Sequence, residues 1–155
     1  MITRARFGQL TAMATIYTIG YEGRAQHDVL RLLVEAGVEV LVDVRIRPQS
    51  RKPGLSKTSL GLACEAAGIE YLHRRALGTP LEVRADFRAG NLERGREDYR
   101  TYLLDDARQD LEWLAVIAGR QRTAILCFEF QPRDCHRRVI AEELAACHKF
   151  EVIDL

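Results

Sequence analysis

A chain of 155 residues with 47% apolar and 29% charged side chains has the size and balance of one soluble domain, and that apolar content excludes disorder. The 23 basic and 22 acidic residues leave a net charge of +1, so no overall field draws the chain to nucleic acid or membrane. No apolar run approaches the roughly 20 residues of a membrane helix. The opening Met1 to Arg6 lacks the apolar stretch of a secretory signal. A cytoplasmic setting is therefore expected, with Cys64, Cys127, Cys135 and Cys147 as thiols.

Residues 1–13 carry no pattern and read as a disordered or non-native tail, with Met13 as an alternative start. A single domain is expected over residues 14–155. Residues 15–20 are β-branched and aromatic and end in glycine, so they predict a strand. Val29, Leu30, Leu32, Leu33 and Ala36 form a helical stripe over residues 26–36, stopped by Gly37. Residues 38–44 predict a second strand, and residues 45–53 a proline-containing basic loop. Ser56 is placed to cap a helix over about residues 57–67, closed by Gly68. Residues 69–72 predict a short third strand.

The pattern weakens over residues 73–95, with one helical turn near 81–87. Residues 97–118 read as one long amphipathic helix carrying Tyr102, Leu103, Leu111, Leu114 and Ile117. A buried-type strand follows at 123–128, then a turn at 131–134. Asp134 is placed to cap a helix over 135–147, and residues 150–153 predict the last strand. Alternating strands and helices predict a single three-layer α/β domain, with a mostly parallel sheet of about five strands flanked by helices.

Open parallel sheets bind ligands beyond the carboxyl ends of their strands. The predicted strand ends are followed by Gly20, Tyr21 and Glu22; by Asp43, Arg45, Arg47, Ser50, Arg51 and Lys52; by His73; and by Cys127, Glu129, Cys135, His136 and Arg137. The opposite junctions, such as Ala36-Gly37 and Ala67-Gly68, are plain. Polar loops are common anyway, but that does not explain why one end is plain. The asymmetry places a site at the carboxyl end.

Only Lys52, Lys57 and Lys149 among the basic residues are lysines. Arginine suits bidentate recognition of phosphate or carboxylate, although a coding bias gives the same skew. Arg45, Arg47, Arg51, Lys52 and Arg137 are the candidate anion ligands. Asp43 either pairs with Arg45 structurally or belongs to the site, and Gly20, Tyr21 and Ser50 carry the same two readings. Cys135, expected in the first helical turn, is placed for thiolate character, and Cys127 ends a strand. Either cysteine can equally be an inert packing residue, and Cys64 and Cys147, on helix stripes, are expected in the core. His73, Glu129 and His136 are candidates for proton transfer, His73 having a hydrogen-bonded structural role as its alternative.

Cys127 and Arg133 have the spacing of a phosphate-cradling loop. The interval holds Glu129 and Pro132 and no glycine, so an amide cradle is not expected. No Cys-x2-Cys or His-x3-His pair occurs, so no metal site and no cofactor are expected.

Five motifs in order carry a resemblance. They are Thr18-Ile-Gly-Tyr-Glu-Gly23, Val42-Asp-Val-Arg45, Arg47-Pro-Gln-Ser-Arg-Lys-Pro-Gly-Leu-Ser-Lys57, Gly68-Ile-Glu-Tyr-Leu-His73 with Leu77-Gly78, and Leu126-Cys-Phe-Glu129 with Cys135-His-Arg137. Together they resemble the bacterial and archaeal domain of unknown function 488. The resemblance implies an α/β fold and maps the family's characteristic residues onto Gly20, Asp43, Arg45, Pro48, Ser50, His73, Gly78, Cys127, Glu129, Cys135, His136 and Arg137. This chain has Tyr21-Glu22 where many relatives have a His-Ser-type pair. The spacing of Val42-Asp-Val-Arg45 and a strand-terminal Cys127 also looks like the layout of rhodanese-type sulfurtransferases, with a different loop after the cysteine.

Three functions compete. The first is an enzyme-like domain binding a phosphorylated or nucleotide-type anion, with arginines on the anion and Cys, His and Glu for the chemistry. The second is a nucleic-acid-binding module contacting phosphates without catalysis. The third is thiol-based sulfur or redox transfer through Cys127 and Cys135, whose bridging requires Cα atoms within about 7 Å.

Overall fold

The computed structural model describes residues 13–155, so the expected tail, Met13 apart, lies outside the described residues. Five strands form one all-parallel sheet: β1 (Thr15–Gly20), β2 (Val40–Asp43), β3 (Glu70–His73), β4 (Thr123–Cys127) and β5 (Glu151–Asp154). Their order across the sheet is β3-β2-β4-β1-β5. The helices are α1 (Gln26–Glu35), α2 (Lys57–Ala66), α3 (Leu81–Arg88), α4 (Leu92–Asp105), α5 (Arg108–Arg120) and α6 (Arg137–His148). Strands β2 and β4 are buried along their whole length, as their unbroken apolar runs require in a sheet covered on both faces.

The order of strands dictates which face each helix covers. The chain runs from β1 to β2 to β3 toward one edge, then turns back to β4 and on to β5. Right-handed crossovers place helices on opposite faces when the direction reverses. Accordingly, Val29 and Leu33 of α1 and Leu60 and Cys64 of α2 pack with Ile19, Leu41, Ala124 and Leu126 on one face. Tyr99 and Leu103 of α4, Leu111 and Leu114 of α5 and Val139, Ile140 and Leu144 of α6 pack with Ile16, Val42 and Ile125 on the other.

Four details differ from the sequence expectation. Residues 97–118 are not one helix: α4 ends and α5 begins around Asp106 and Ala107, whose amides both bond to the Tyr102 carbonyl. Adjacent aspartates disfavour helix by competing for backbone groups. Tyr99, Leu103, Ala107, Leu111 and Leu114 nevertheless stay in phase across the break, and periodicity therefore reads as continuous. The last helix starts at Arg137 rather than Cys135, which is extended at φ −137° and ψ 150°. Asp134 lies in a short 3-10 turn (Pro132–Asp134) and caps nothing, while Ser56 starts α2 without a side-chain cap because its hydroxyl bonds the Ser50 backbone instead. Cys64 is in the core as expected, but Cys147 is exposed. No helix among the described residues is long and apolar enough to cross a membrane.

Candidate functional site

Adjacent strands β4 and β1 send their following connections to opposite faces, as do β4 and β2. Such a switch point opens a crevice at the carboxyl ends. Here Gly20 pairs with Cys127, and Asp43 with both Leu126 and His73, so all four strands end level. Pairing continues one step further, the Tyr21 and Glu22 amides bonding the carbonyls of Cys127 and Phe128. This holds residues 128–130 beside residues 21–22 at the mouth of the crevice.

The crevice floor carries the two cysteines. Cys127 ends β4 facing α4–α6, and the extended Cys135 approaches from the start of α6, so that their sulfurs meet. Their Cα atoms are 7.6 Å apart, wider than the roughly 4.4–6.8 Å usual for a disulfide. A Glu129 carboxylate oxygen lies 3.2 Å from the Cys127 sulfur. Burial raises the Glu129 pKa, with Glu22 and Asp134 adding to the shift and the Arg137 charge opposing it. Although Cys135 precedes the helix, its sulfur accepts the Arg137 backbone N–H at 3.5 Å, and so still meets the positive end of α6.

Arg137 and His136 brace this pair from behind. The Arg137 guanidinium is buried, donating to the Cys127 sulfur at 2.9 Å, to the Glu129 and Phe130 carbonyls and to Thr18. Burial lowers its pKa to about 10, with Glu129 and Asp154 opposing the shift. Gly20 makes the arrangement possible, because a Cβ there would collide with the Glu129 carbonyl. His136 Nε2 lies 2.8 Å from the Val44 carbonyl, so it carries the proton and leaves Nδ1 toward the Cys135 sulfur at 3.5 Å. Burial pushes its pKa down to about 4, which keeps the ring neutral.

A second polar group lies on the other face. Asp43, fully buried at the end of β2, pairs with Arg45, whose Nη2 lies 2.6 Å from a carboxylate oxygen. Arg45 Nε also bonds Asp43, and Nη1 donates to the Tyr21 hydroxyl and the Leu55 carbonyl. Burial works against the Arg45 charge, but Asp43 outweighs it and raises the pKa. Tyr71 donates to the same carboxylate, and His73 Nε2 meets the Arg45 carbonyl at 2.7 Å. These bonds anchor both ends of the basic loop that follows β2.

That loop and α3 form the walls of a cleft of about 980 Å³. Cys127, Glu129, Cys135 and His136 line it together with Tyr21, Arg45, Arg47, Ser50, Arg51 and Lys52. Arg47 and Arg51 are exposed, while Lys52 reaches back to the carbonyls of Tyr21 and Arg24. His73, Asp43, Gly20 and Arg137 do not line the cleft; they support it from beneath. Arg133 is exposed beside Asp134 and forms no cradle with Cys127.

The family model for the domain of unknown function DUF488 matches residues 26–144, most of the chain. The chain belongs to the DUF488 family. No curated protein and no solved structure matches it. The DUF488 match takes in the basic loop, Cys127, Glu129, Cys135, His136 and Arg137, whereas Gly20 and Tyr21 precede it.

Sequence reasoning missed two cleft residues of this DUF488 chain, Arg84 and Arg88. They belong to α3, in the stretch where the sequence pattern is weakest, and only the fold brings that helix over the ends of β2 and β4. Arg84 Nε is buried and has no hydrogen-bond partner among the described residues. Phe128, 42% exposed, also lines the cleft, its ring held edge-on by Tyr21 at 5.3 Å between centroids.

Proposed function

We propose that this protein is an enzyme that binds a phosphorylated, nucleotide-type anion in the cleft and acts on it at the Cys127–Glu129–Cys135 cluster. One observation carries the reading: a basic rim, two buried thiols and the half-buried Glu129 carboxylate share a single cleft of about 980 Å³. That volume suits a small molecule of nucleotide size. Arg45 and Arg137, whose donors are engaged within the protein, hold the scaffold. Arg47, Arg51, Arg84 and Arg88 are the residues left to meet an anion, while Lys52, held by the Tyr21 and Arg24 carbonyls, contributes its charge to the rim. The unpartnered Arg84 Nε supports this division, since a buried donor gains most from a ligand that satisfies it. The exposed Phe128 ring offers a nucleobase a stacking surface.

The test is equilibrium binding of a mixture of the four ribonucleoside diphosphates, of inorganic pyrophosphate and of a single-stranded oligonucleotide. Arg84→Ala should weaken nucleotide and pyrophosphate binding by about tenfold, the scale of one charge-assisted hydrogen bond. Phe128→Ala should weaken the nucleotides and leave pyrophosphate unchanged, while Arg120→Ala, outside the cleft, should change neither. Binding of the oligonucleotide alone, with a steep salt dependence, would replace this reading by a nucleic-acid module.

A second reading, thiol redox exchange, is favoured by the meeting of the two sulfurs. It requires that a mild oxidant such as diamide take two hydrogens from the Cys127–Cys135 pair and leave a bridged peptide that reductant restores. Persistence of both free thiols under diamide removes it.

A further inference from the structure

We infer that the reduced protein binds one divalent cation of the zinc class through Cys127, Glu129 and Cys135, with a fourth coordination position open to the cleft. Three ligand atoms, two sulfurs and a carboxylate oxygen, all lie within 4.8 Å of one another. The two sulfurs touch in this structure; tetrahedral zinc with Zn–S bonds of about 2.3 Å holds two sulfurs about 3.8 Å apart, so they part when the ion binds. The chain places the two Cα atoms at 7.6 Å, beyond the usual span of a direct sulfur–sulfur bridge. A backbone with this separation suits two sulfurs that share an atom between them.

Charge and support point the same way. Two thiolates and a carboxylate carry three negative charges against the single positive charge of Arg137 beside them. A divalent cation brings the buried group to neutrality, which is the condition for holding charges out of water. The N–H groups that reach the sulfurs, from the Arg137 side chain to Cys127 and from its backbone to Cys135, are the outer bonds that orient thiolate ligands. All three ligands line the cleft, so a fourth position would face the bound anion. Three protein ligands and one open position is the pattern of catalytic rather than structural zinc.

The fold creates this set. Glu129 and Cys135 stand two and eight residues after Cys127, outside the Cys-x2–4-Cys spacing typical of zinc sites. They meet because Cys127 ends a strand, residues 128–130 are pinned to residues 21–22, and the 3-10 turn returns Cys135 to the strand end.

The inference uses the floor of the cleft and none of its rim arginines, so its failure is distinct from failure of the anion reading. The full chain is reduced, stripped with chelator and titrated with Co2+, then with Zn2+. One Co2+ per chain is expected, with a thiolate-to-cobalt charge-transfer band and the intense visible bands of a tetrahedral site, lost as Zn2+ displaces it. Cys135→Ser and Glu129→Gln should each weaken Zn2+ binding at least about tenfold, the least expected of a ligand given what outer-shell partners contribute. Cys147→Ser should bind as wild type. A reduced, folded wild-type chain that shows no charge-transfer band overturns the proposal, and this arm needs no variant to fold. Undiminished binding by Glu129→Gln overturns the three-ligand assignment.

Discussion

At the scale of single residues, the chain divides its arginines between scaffold and surface. Arg45 resembles a ligand-binding arginine in sequence, following a strand end in a basic loop, yet its guanidinium is turned inward onto Asp43. A buried pair of this kind adds little net stability over an apolar equivalent, but losing one partner strands the other charge. Asp43→Ala is therefore expected to lower unfolding free energy by about 3–5 kcal/mol in urea titration, with an Asp43→Asn, Arg45→Met double variant recovering much of the loss. An unchanged midpoint in Asp43→Ala would show that the pair is not a structural anchor. The sequence made the position of these residues legible and not their direction, because hydrogen-bond partners such as Tyr21, Leu55 and Tyr71 come from three other segments.

At the scale of elements, strands were more legible than the helices between β3 and β4. Each strand carries at least two adjacent apolar or aromatic residues between punctuating ones, such as Tyr71-Leu72 in β3 and Val152-Ile153 in β5, so its location follows from composition. The break between α4 and α5 is invisible to periodicity because the buried stripe continues through it, and it rests on local backbone bonds around Ala107. Ala107 is fully buried where the two helices part. Ala107→Leu should overpack this turn and cost about 1–3 kcal/mol by thermal or urea unfolding; a neutral result would mean that the helices can part further at no cost. The same stretch hid the contribution of α3. Nothing in residues 73–95 announces that Arg84 and Arg88 belong with a loop some forty residues earlier. The crossover rule sends the return from β3 to β4 over the face opposite α1 and α2; that α3 stays at the carboxyl end beside the loop is seen only in the fold.

At the scale of the whole molecule, one topological fact positions the candidate site: β4 lies between β1 and β2, and the chain leaves it toward the opposite face. The carboxyl-end location was legible from the uneven distribution of polar residues along the chain. The meeting of Cys127, Glu129 and Cys135 was not, since it depends on a turn whose geometry no spacing rule describes. Stability at high pH is also a global property. Burial raises the Tyr99 pKa well above its ordinary value of 10.0, and burial followed by Asp43 raises that of Tyr71. Phenols that stay protonated in the fold give stability that is complete below the unfolded pKa of about 10 and is lost as pH rises above it. Unfolding free energy should therefore fall above about pH 10, and Tyr71→Phe should fall less steeply than wild type; parallel curves would contradict this. The sharing of one cleft by anion and cluster is the proposal that joins the two halves of the site. It is tested most directly by the iodoacetamide labelling rates of Cys127 and Cys135 in reduced, chelator-treated protein, with and without the ribonucleoside diphosphate mixture, and with exposed Cys147 as internal reference. Slower labelling of Cys127 and Cys135 alone, requiring about tenfold more nucleotide in Arg84→Ala, is the predicted result. Nucleotide binding that leaves both rates unchanged would contradict the claim, placing the anion away from the cysteines.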